Sequence, residues 1–161
     1  MRTLYLVRHA KAEPHSLSKS DFYRNLMSNG IERARRIADH LQAMIHIDKK
    51  TLAITSPANR AVQTADIFCE ALHYPVTSLT QDNSIYEAHF MDLLGVINRV
   101  PESYERLLLF GHNPGLSALV NYLSHADIRL ATSNVAIIQF EDDLAFSMVS
   151  GGTGQLVDVL A

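Results

Sequence analysis

Three short apolar runs constrain the fold more than any other feature of this chain: Leu4-Tyr5-Leu6-Val7, Leu52-Ala53-Ile54-Thr55 and Leu107-Leu108-Leu109-Phe110. Each is four residues long and, apart from Thr55, apolar without alternation. Runs of that kind read as strands buried on both faces, the habit of parallel sheets. Helix-period stretches lie between them. Residues 30–45 place Ile31, Ala34, Ile37, Ala38, Leu41 and Ile45 on one face, the spacing of an amphipathic helix. Strands alternating with helices predict an α/β fold: a single domain spanning residues 1–161, with a mainly parallel central sheet and helices on both faces.

The same reading sets the remaining elements. Residues 3–7 and 51–55 are predicted as strands, as is 106–110. Asn29 is a candidate N-cap for the first helix, with Glu32 as its capping-box partner. Ser56-Pro57 has the form of a helix start, an N-cap and then proline at the first helical position. That second helix runs to about His73 with Ala61, Ala65, Phe68, Cys69 and Leu72 inward, and Tyr74-Pro75 ends it. A short strand over 76–79 and a helix over about 89–100 come next. Asn113-Pro114 repeats the cap-then-proline pattern and starts a helix to about Ser124. Asn134–Phe140 and Ala145–Val149, joined through Glu141-Asp142-Asp143, read as a C-terminal antiparallel hairpin. Residues 11–28 are polar and irregular, an expected active-site loop. Gly151-Gly152-Thr153-Gly154 comes after no first strand and opens no helix, so it is not a phosphate-cradling glycine loop.

Composition narrows the class. The chain has 161 residues, 47% hydrophobic and 19% charged, with net charge −3. No basic footprint for nucleic acid is present, and no apolar stretch reaches the length of a membrane span. The apolar residues before Arg8 are too few for a secretory signal, so a cytoplasmic protein is expected. Cys69 is the sole cysteine, which excludes an intramolecular disulfide and a thiolate metal site; its surroundings read as core. His15, His40, His46, His73, His89 and His125 show no metal-ligand spacing. Arg33, Arg35 and Arg36 read as a solvated helix face.

The residues just past each strand point to chemistry. The first run ends in Arg8-His9, the second in Ser56-Pro57-Ala58-Asn59-Arg60, the third in Gly111-His112-Asn113-Pro114. Ligands of open α/β sheets bind outside the carboxyl ends of the strands, so parallel strands would bring two histidines and two arginines into one crevice. A neutral imidazole can attack phosphorus. Guanidinium groups match phosphate oxygens bidentately. Arg60 also sits near the positive end of its helix dipole. A cationic His112 could donate to the phosphoryl oxygens, and the helix start at Asn113 offers backbone N–H groups close by.

These segments resemble the histidine phosphatase superfamily, of phosphoglycerate-mutase-like fold. Its Arg-His-Gly motif appears as Arg8-His9-Ala10. Its long Ser-Pro-x-x-Arg-Ala-x-Gln-Thr-Ala motif appears as Ser56 through Ala65, and its second histidine as His112 in Gly111-His112-Asn113-Pro114-Gly115. An Arg-x-Leu-(x)3-Gly segment appears as Arg24-Asn25-Leu26 and Gly30. Within the superfamily the chain is similar to the compact SixA branch, the phosphohistidine phosphatases. The short length, the Arg8-His9-Ala10-Lys11-Ala12-Glu13 start, the Ile85-Tyr86-Glu87-Ala88 segment and the Gly-rich end before Leu156 support that placement.

The resemblance implies that His9 is a transient phosphohistidine nucleophile and that Arg8, Arg60 and His112 form the phosphate pocket, with Asn113 beside it. It implies no metal and no organic cofactor. Glu87 matches the position where larger relatives keep a proton-donating acid; a solvated carboxylate ahead of a helix is the other reading of the same residue. The implied substrate is a phosphorylated protein, with phosphohistidine on a histidine-phosphotransfer domain of a signalling pathway foremost. An imidazole leaves readily, with a pKa near 6.5. The chain also has little sequence beyond residues 11–28 for a substrate-enclosing lid. The alternatives are a phosphomonoesterase for small phosphate esters and a catalytically silent phosphate-binding module.

Overall fold

A computed structural model describes residues 1–161. It contains one six-stranded sheet with strands β1 Thr3–Arg8, β2 Thr51–Thr55, β3 Thr80–Gln81, β4 Arg106–Gly111, β5 Val135–Phe140 and β6 Gly154–Leu160. The spatial order is β3-β2-β4-β1-β5-β6. β1, β4, β2 and β3 run parallel, whereas β5 is antiparallel to both β1 and β6. Four helices complete the fold: α1 Ser28–Gln42, α2 Asn59–Leu72, α3 Phe90–Asn98 and α4 Gly115–Ser124.

Successive strand residues point to opposite faces, so each central strand feeds two cores. Leu4 and Leu6 of β1 and Leu107 and Leu109 of β4 meet Leu93 and Ile97 of α3 and Leu116 and Leu119 of α4. Tyr5, Val7, Leu108 and Phe110 face the other way, onto Ala34, Ile37 and Leu41 of α1 and Ala65 and Phe68 of α2. Burial on both sides explains why these strands lack polar alternation. Cys69 lies in the second core, and burial, with Asp66 nearby, pushes its thiol up to about 12.

The α/β class, the parallel centre, the helices on both faces and an antiparallel C-terminal pair all match the expectation from sequence. Several details differ. The hairpin's second arm is Gly154–Leu160, not 145–149. Ala145–Val149 instead surrounds a single 3-10 turn that sinks Phe146 and Val149 into the first core. The apolar character of that stretch reflects burial, not strand pairing. Gly154 opens β6 opposite Phe140; a Cβ there would lie 2.6 Å from Ile138 Cγ2. The predicted strand over 76–79 is a 3-10 turn at Val76–Ser78, and the two-residue β3 comes after it.

Helix starts are shifted by one or two residues. α2 begins at Asn59 with Ala58 as N-cap, and Ser56 Oγ accepts the Ala58 N–H at 3.2 Å. α4 begins at Gly115, where Asn113 Oδ1 accepts the Ser117 N–H at 3.1 Å from outside the helix. α1 begins at Ser28, so Asn29 lies inside its first turn and the Asn29–Glu32 box does not form; Ile45 lies beyond its end. The true capping box belongs to α3, where His89 Nδ1 accepts from Met91 and Asp92 accepts from the His89 N–H.

The stretch between β1 and α1 is tied down at its base. Ala12 bridges Leu26, Glu13 N–H donates to Asn25 at 2.8 Å, and Met27 N–H donates to the Lys11 carbonyl at 2.9 Å. Gly30 permits this approach: a Cβ there would collide with the Lys11 carbonyl and lie 3.0 Å from its nitrogen. Both are backbone atoms that cannot swing aside. Gly30→Ala is therefore expected to destabilise the protein by ~1–3 kcal/mol in urea unfolding, despite a helix-propensity gain of ~1 kcal/mol. A stabilised variant would contradict the close approach.

Candidate active site

Register fixes where the strand ends meet. Arg8 pairs with Gly111 across β1 and β4, and Thr55 with Phe110 across β2 and β4. One residue further along each strand come His9, His112 and Ser56, side by side on one rim. Arg60 reaches the same place from the first turn of α2. A cavity of about 470 Å³ is lined by Arg8, His9, Arg60 and His112, together with Glu87 and Asn113. All six residues singled out in the sequence thus lie around one space.

His9 is 8% exposed. Its Nδ1 lies 2.7 Å from the Ala10 carbonyl oxygen. A carbonyl only accepts, so Nδ1 holds the proton and Nε2 keeps its lone pair. The backbone is held equally firmly: His9 N–H donates to Gly111 O at 3.0 Å, and Ala10 N–H donates to Thr64 Oγ1 at 2.9 Å. Thr64 Oγ1 in turn donates to the Arg60 carbonyl at 2.7 Å. One hydroxyl of α2 therefore links the His9 segment to Arg60. Gln63 accepts the Leu26 N–H at 2.9 Å and binds Asn25, tying the 11–28 segment to the same helix.

The His112 ring lies 5.2 Å from the His9 ring, centroid to centroid. Its Nε2 is 2.8 Å from Ser56 Oγ, and its buried Nδ1 has no partner. Burial lowers the pKa of both rings. For His9 it outweighs the Ala10 hydrogen bond and, joined by the charges of Arg60, Arg8 and Arg24, brings the value to about 4. For His112 burial, His9 and Arg60 bring it to about 3. Both rings are therefore neutral at pH 7.

The arginines differ. Arg8 Nη1 donates to the Leu130 carbonyl at 3.0 Å, and its buried Nε has no partner. Arg60, 5% exposed, donates from both terminal nitrogens to Asp21. The Asn113 amide is occupied by fold contacts: Nδ2 donates to Leu130 O at 2.8 Å and Oδ1 accepts from Ser117. Glu87 lies exposed at the cavity with a left-handed backbone, φ 54°. That conformation is uncommon for a side chain with a Cβ and is concentrated at functional sites.

Asp21 and Arg24 also line the cavity, a placement that the sequence did not announce. Asp21 lies three residues before Arg24, the only local signal that the two pair. Tyr86, beside Glu87, packs edge-on against His112 at 5.7 Å and donates to Asp21 Oδ2 at 2.7 Å. No helix is long and apolar enough to cross a membrane.

Comparison with known proteins gives the arrangement a context. The family model described as histidine phosphatase superfamily (branch 1) matches residues 4–116. A structure from Agrobacterium tumefaciens, provisionally assigned as the phosphohistidine phosphatase SixA, superposes with a TM-score of 0.83 at 25% identity, over 99% of this chain and 97% of that one. The protein histidine phosphatase SixA complexed with tungstate superposes at 0.77 with 22% identity, over 99% and 96%; at that identity the likeness is one of fold. An uncharacterised chloroplastic protein of Arabidopsis thaliana is 27% identical over 146 residues, 86% of this chain. The chain spans 66% of that relative's length.

The burial of both rings has a measurable consequence. Their folded pKa values lie below the unfolded value of ~6.5. The stability they contribute is therefore complete above that pH and is lost as pH falls toward the folded values. Imidazole C–H resonances tracked by NMR are expected to titrate with midpoints of about 4 for His9 and about 3 for His112. Midpoints at the unperturbed value would contradict the burial described above.

Proposed function

Because this chain belongs to the histidine phosphatase superfamily, branch 1, we propose that it is a phosphatase working through a transient phosphohistidine at His9, with a phosphohistidine on a signalling protein as its substrate. A histidine-phosphotransfer domain is the proposed protein partner. The observation that supports this reading most is the state of His9: its Nδ1 proton is committed to the Ala10 carbonyl, which leaves Nε2 as a nucleophile in a cavity shared with Arg8, Arg60 and His112.

In the first step His9 Nε2 forms a bond to phosphorus. The substrate's P–N bond breaks, and its electron pair goes to the departing imidazole nitrogen, which takes up a proton. Glu87 is the proposed donor, with solvent as the fallback at an exposed site. In the second step a water oxygen attacks the phosphorus of phospho-His9. The P–N electrons return to Nε2, orthophosphate leaves, and the water's proton passes to solvent.

Electrostatics suits both steps. A phosphate dianion would raise the pKa of a neighbouring histidine and so silence a nucleophile. The charges of Arg60, Arg8 and Arg24 act on His9 in the opposite sense. The same dianion offsets the burial that keeps His112 neutral, so His112 is proposed to gain its proton only when phosphate is bound and then to donate to a phosphoryl oxygen. Asn113 is proposed to contribute through the backbone near the start of α4, since its side chain is engaged elsewhere.

A second reading, hydrolysis of small phosphate esters, is favoured by one feature. The cavity volume of about 470 Å³ lies within the range of small-molecule sites. The two readings separate in one experiment: phosphate release from a phosphorylated histidine-phosphotransfer domain, run beside an aryl phosphate. His9→Ala is expected to abolish release from the protein substrate while the fold persists. Arg60→Ala is expected to lower kcat by ~10²–10³-fold, the usual cost of removing a donor to transition-state charge. Release from the aryl phosphate alone would replace the protein substrate with a small ester, and undiminished turnover by His9→Ala would overturn the mechanism.

A further inference from the structure

Asp21 is the one carboxylate that contacts the phosphate-gripping arginine, and every oxygen it has is in use. Its Oδ2 accepts from Arg60 Nη2 at 2.9 Å and from Tyr86 Oη at 2.7 Å. Its Oδ1 accepts from Arg24 Nε at 2.9 Å and lies 2.8 Å from Arg24 Nη2. Its backbone carbonyl accepts from Arg60 Nη1 at 2.7 Å. Burial alone would raise the Asp21 carboxyl, but the hydrogen bonds from Tyr86, Arg24 and Arg60 prevail and hold it well below the carboxylate range. Tyr86 moves the other way, to about 12, through burial and its bond to Asp21.

A carboxylate so engaged and so acidic is neither a proton donor nor a free base. Its geometry suits a different task. A guanidinium has five N–H donors in a fixed plane. Asp21 takes one from each terminal nitrogen of Arg60, which leaves one on each and the Nε–H. The plane of Arg60 is fixed while donors remain for the cavity it lines. The Tyr86 ring, whose centroid is 6.0 Å from the Arg60 guanidinium carbon, adds a cation–π contact to the same group. Phe22, next to Asp21, meets that ring edge-on at 5.2 Å.

We propose that Asp21 is the positioning residue of the phosphate site, a clamp that holds the Arg60 guanidinium in the plane from which its remaining donors meet phosphoryl oxygens. The inference rests on the reading that Arg60 grips phosphate, but not on which phosphorylated substrate is turned over. Two other roles would use the same contacts. Asp21 could only anchor the 11–28 segment, or its charge could compete with phosphate for Arg60. The three roles differ in sign and in their dependence on Arg60.

The test is calorimetric binding of tungstate and of orthophosphate to the full chain, a readout independent of catalysis. Asp21→Asn is expected to weaken tungstate binding by ~10-fold, within the coupling of contacting side chains, and by less than ~2-fold once Arg60 is Ala. Tyr86→Phe, which removes one hydrogen bond to Asp21 and leaves the carboxylate, is expected to weaken binding by ~3-fold, again only when Arg60 is present. Equal losses with and without Arg60, or a lower unfolding temperature with unchanged affinity, would reduce Asp21 to an anchor and overturn the proposal. Tighter binding by Asp21→Asn would show competition and overturn it too. Failure of the unmodified protein to bind either anion would remove the phosphate pocket itself. Binding without phosphohistidine turnover would remove only the proposed substrate and leave the clamp standing.

Discussion

Parallel pairing of β1 with β4 and of β4 with β2 places the two histidines of the site and Ser56. The ladder aligns Arg8 with Gly111 and Thr55 with Phe110. From that alignment the chain needs one more residue on each strand to deliver His9, His112 and Ser56 to a common rim. A slip of one residue would reverse the faces of all the side chains on a strand. Leu4 and Leu6 could not exchange places with Tyr5 and Val7 without emptying one core and crowding the other. The two hydrophobic cores therefore act on the chemistry: by fixing register, they fix the distance between the histidine rings.

The cost of such a site is burial of polar and charged groups, and the fold offsets it in different ways. The imidazoles of His9 and His112 respond by staying neutral. Arginine has no such route, since it does not deprotonate in proteins. Arg60 is buried and charged, and a buried charge must find a partner. It finds Asp21, which also faces Arg24, so the three form an Arg–Asp–Arg triad with one net positive charge. The triad lies beside His9 and supplies part of the field that keeps its ring unprotonated.

The meeting of the candidate site residues was legible in the sequence at the strand ends. Parallel strands bury both faces, so their apolar runs are continuous and easily seen, and the residues just past each run lie where ligands bind. Arg8, His9, Arg60 and His112 were found in that way, and the structure brings them to one cavity with Glu87 and Asn113. Asp21, Arg24 and Tyr86 were missed as a group because their meeting depends on the path of residues 11–28 over the sheet end. No local periodicity encodes that path. It is set by tertiary contacts such as the Ala12–Leu26 bridge and the fit of Gly30 against Lys11. The misplaced hairpin arm has a related cause. Phe146 and Val149 are apolar because they plug a core, while β6 lies at the sheet edge, half-exposed and interrupted by Asp158. Helix starts were displaced because Ser56 and Asn113 have second duties: Ser56 Oγ meets His112, and the Asn113 amide holds Leu130.

Those double duties explain how a small chain keeps its site in order before any ligand arrives. Electrostatic stabilisation of a transition state works best when the dipoles and charges need not reorganise during reaction. Here Thr64 ties Ala10 to Arg60, Gln63 ties α2 to Leu26 and Asn25, Ser56 meets His112, and Asp21 orients Arg60. Apart from the Thr64–Arg60 bond inside α2, these hydrogen bonds join segments far apart in sequence. The base of the 11–28 segment belongs to this network, whereas its tip at Leu17 stands fully in solvent. The inner half of the segment therefore helps to set the geometry of the cavity, while its tip stays clear of it.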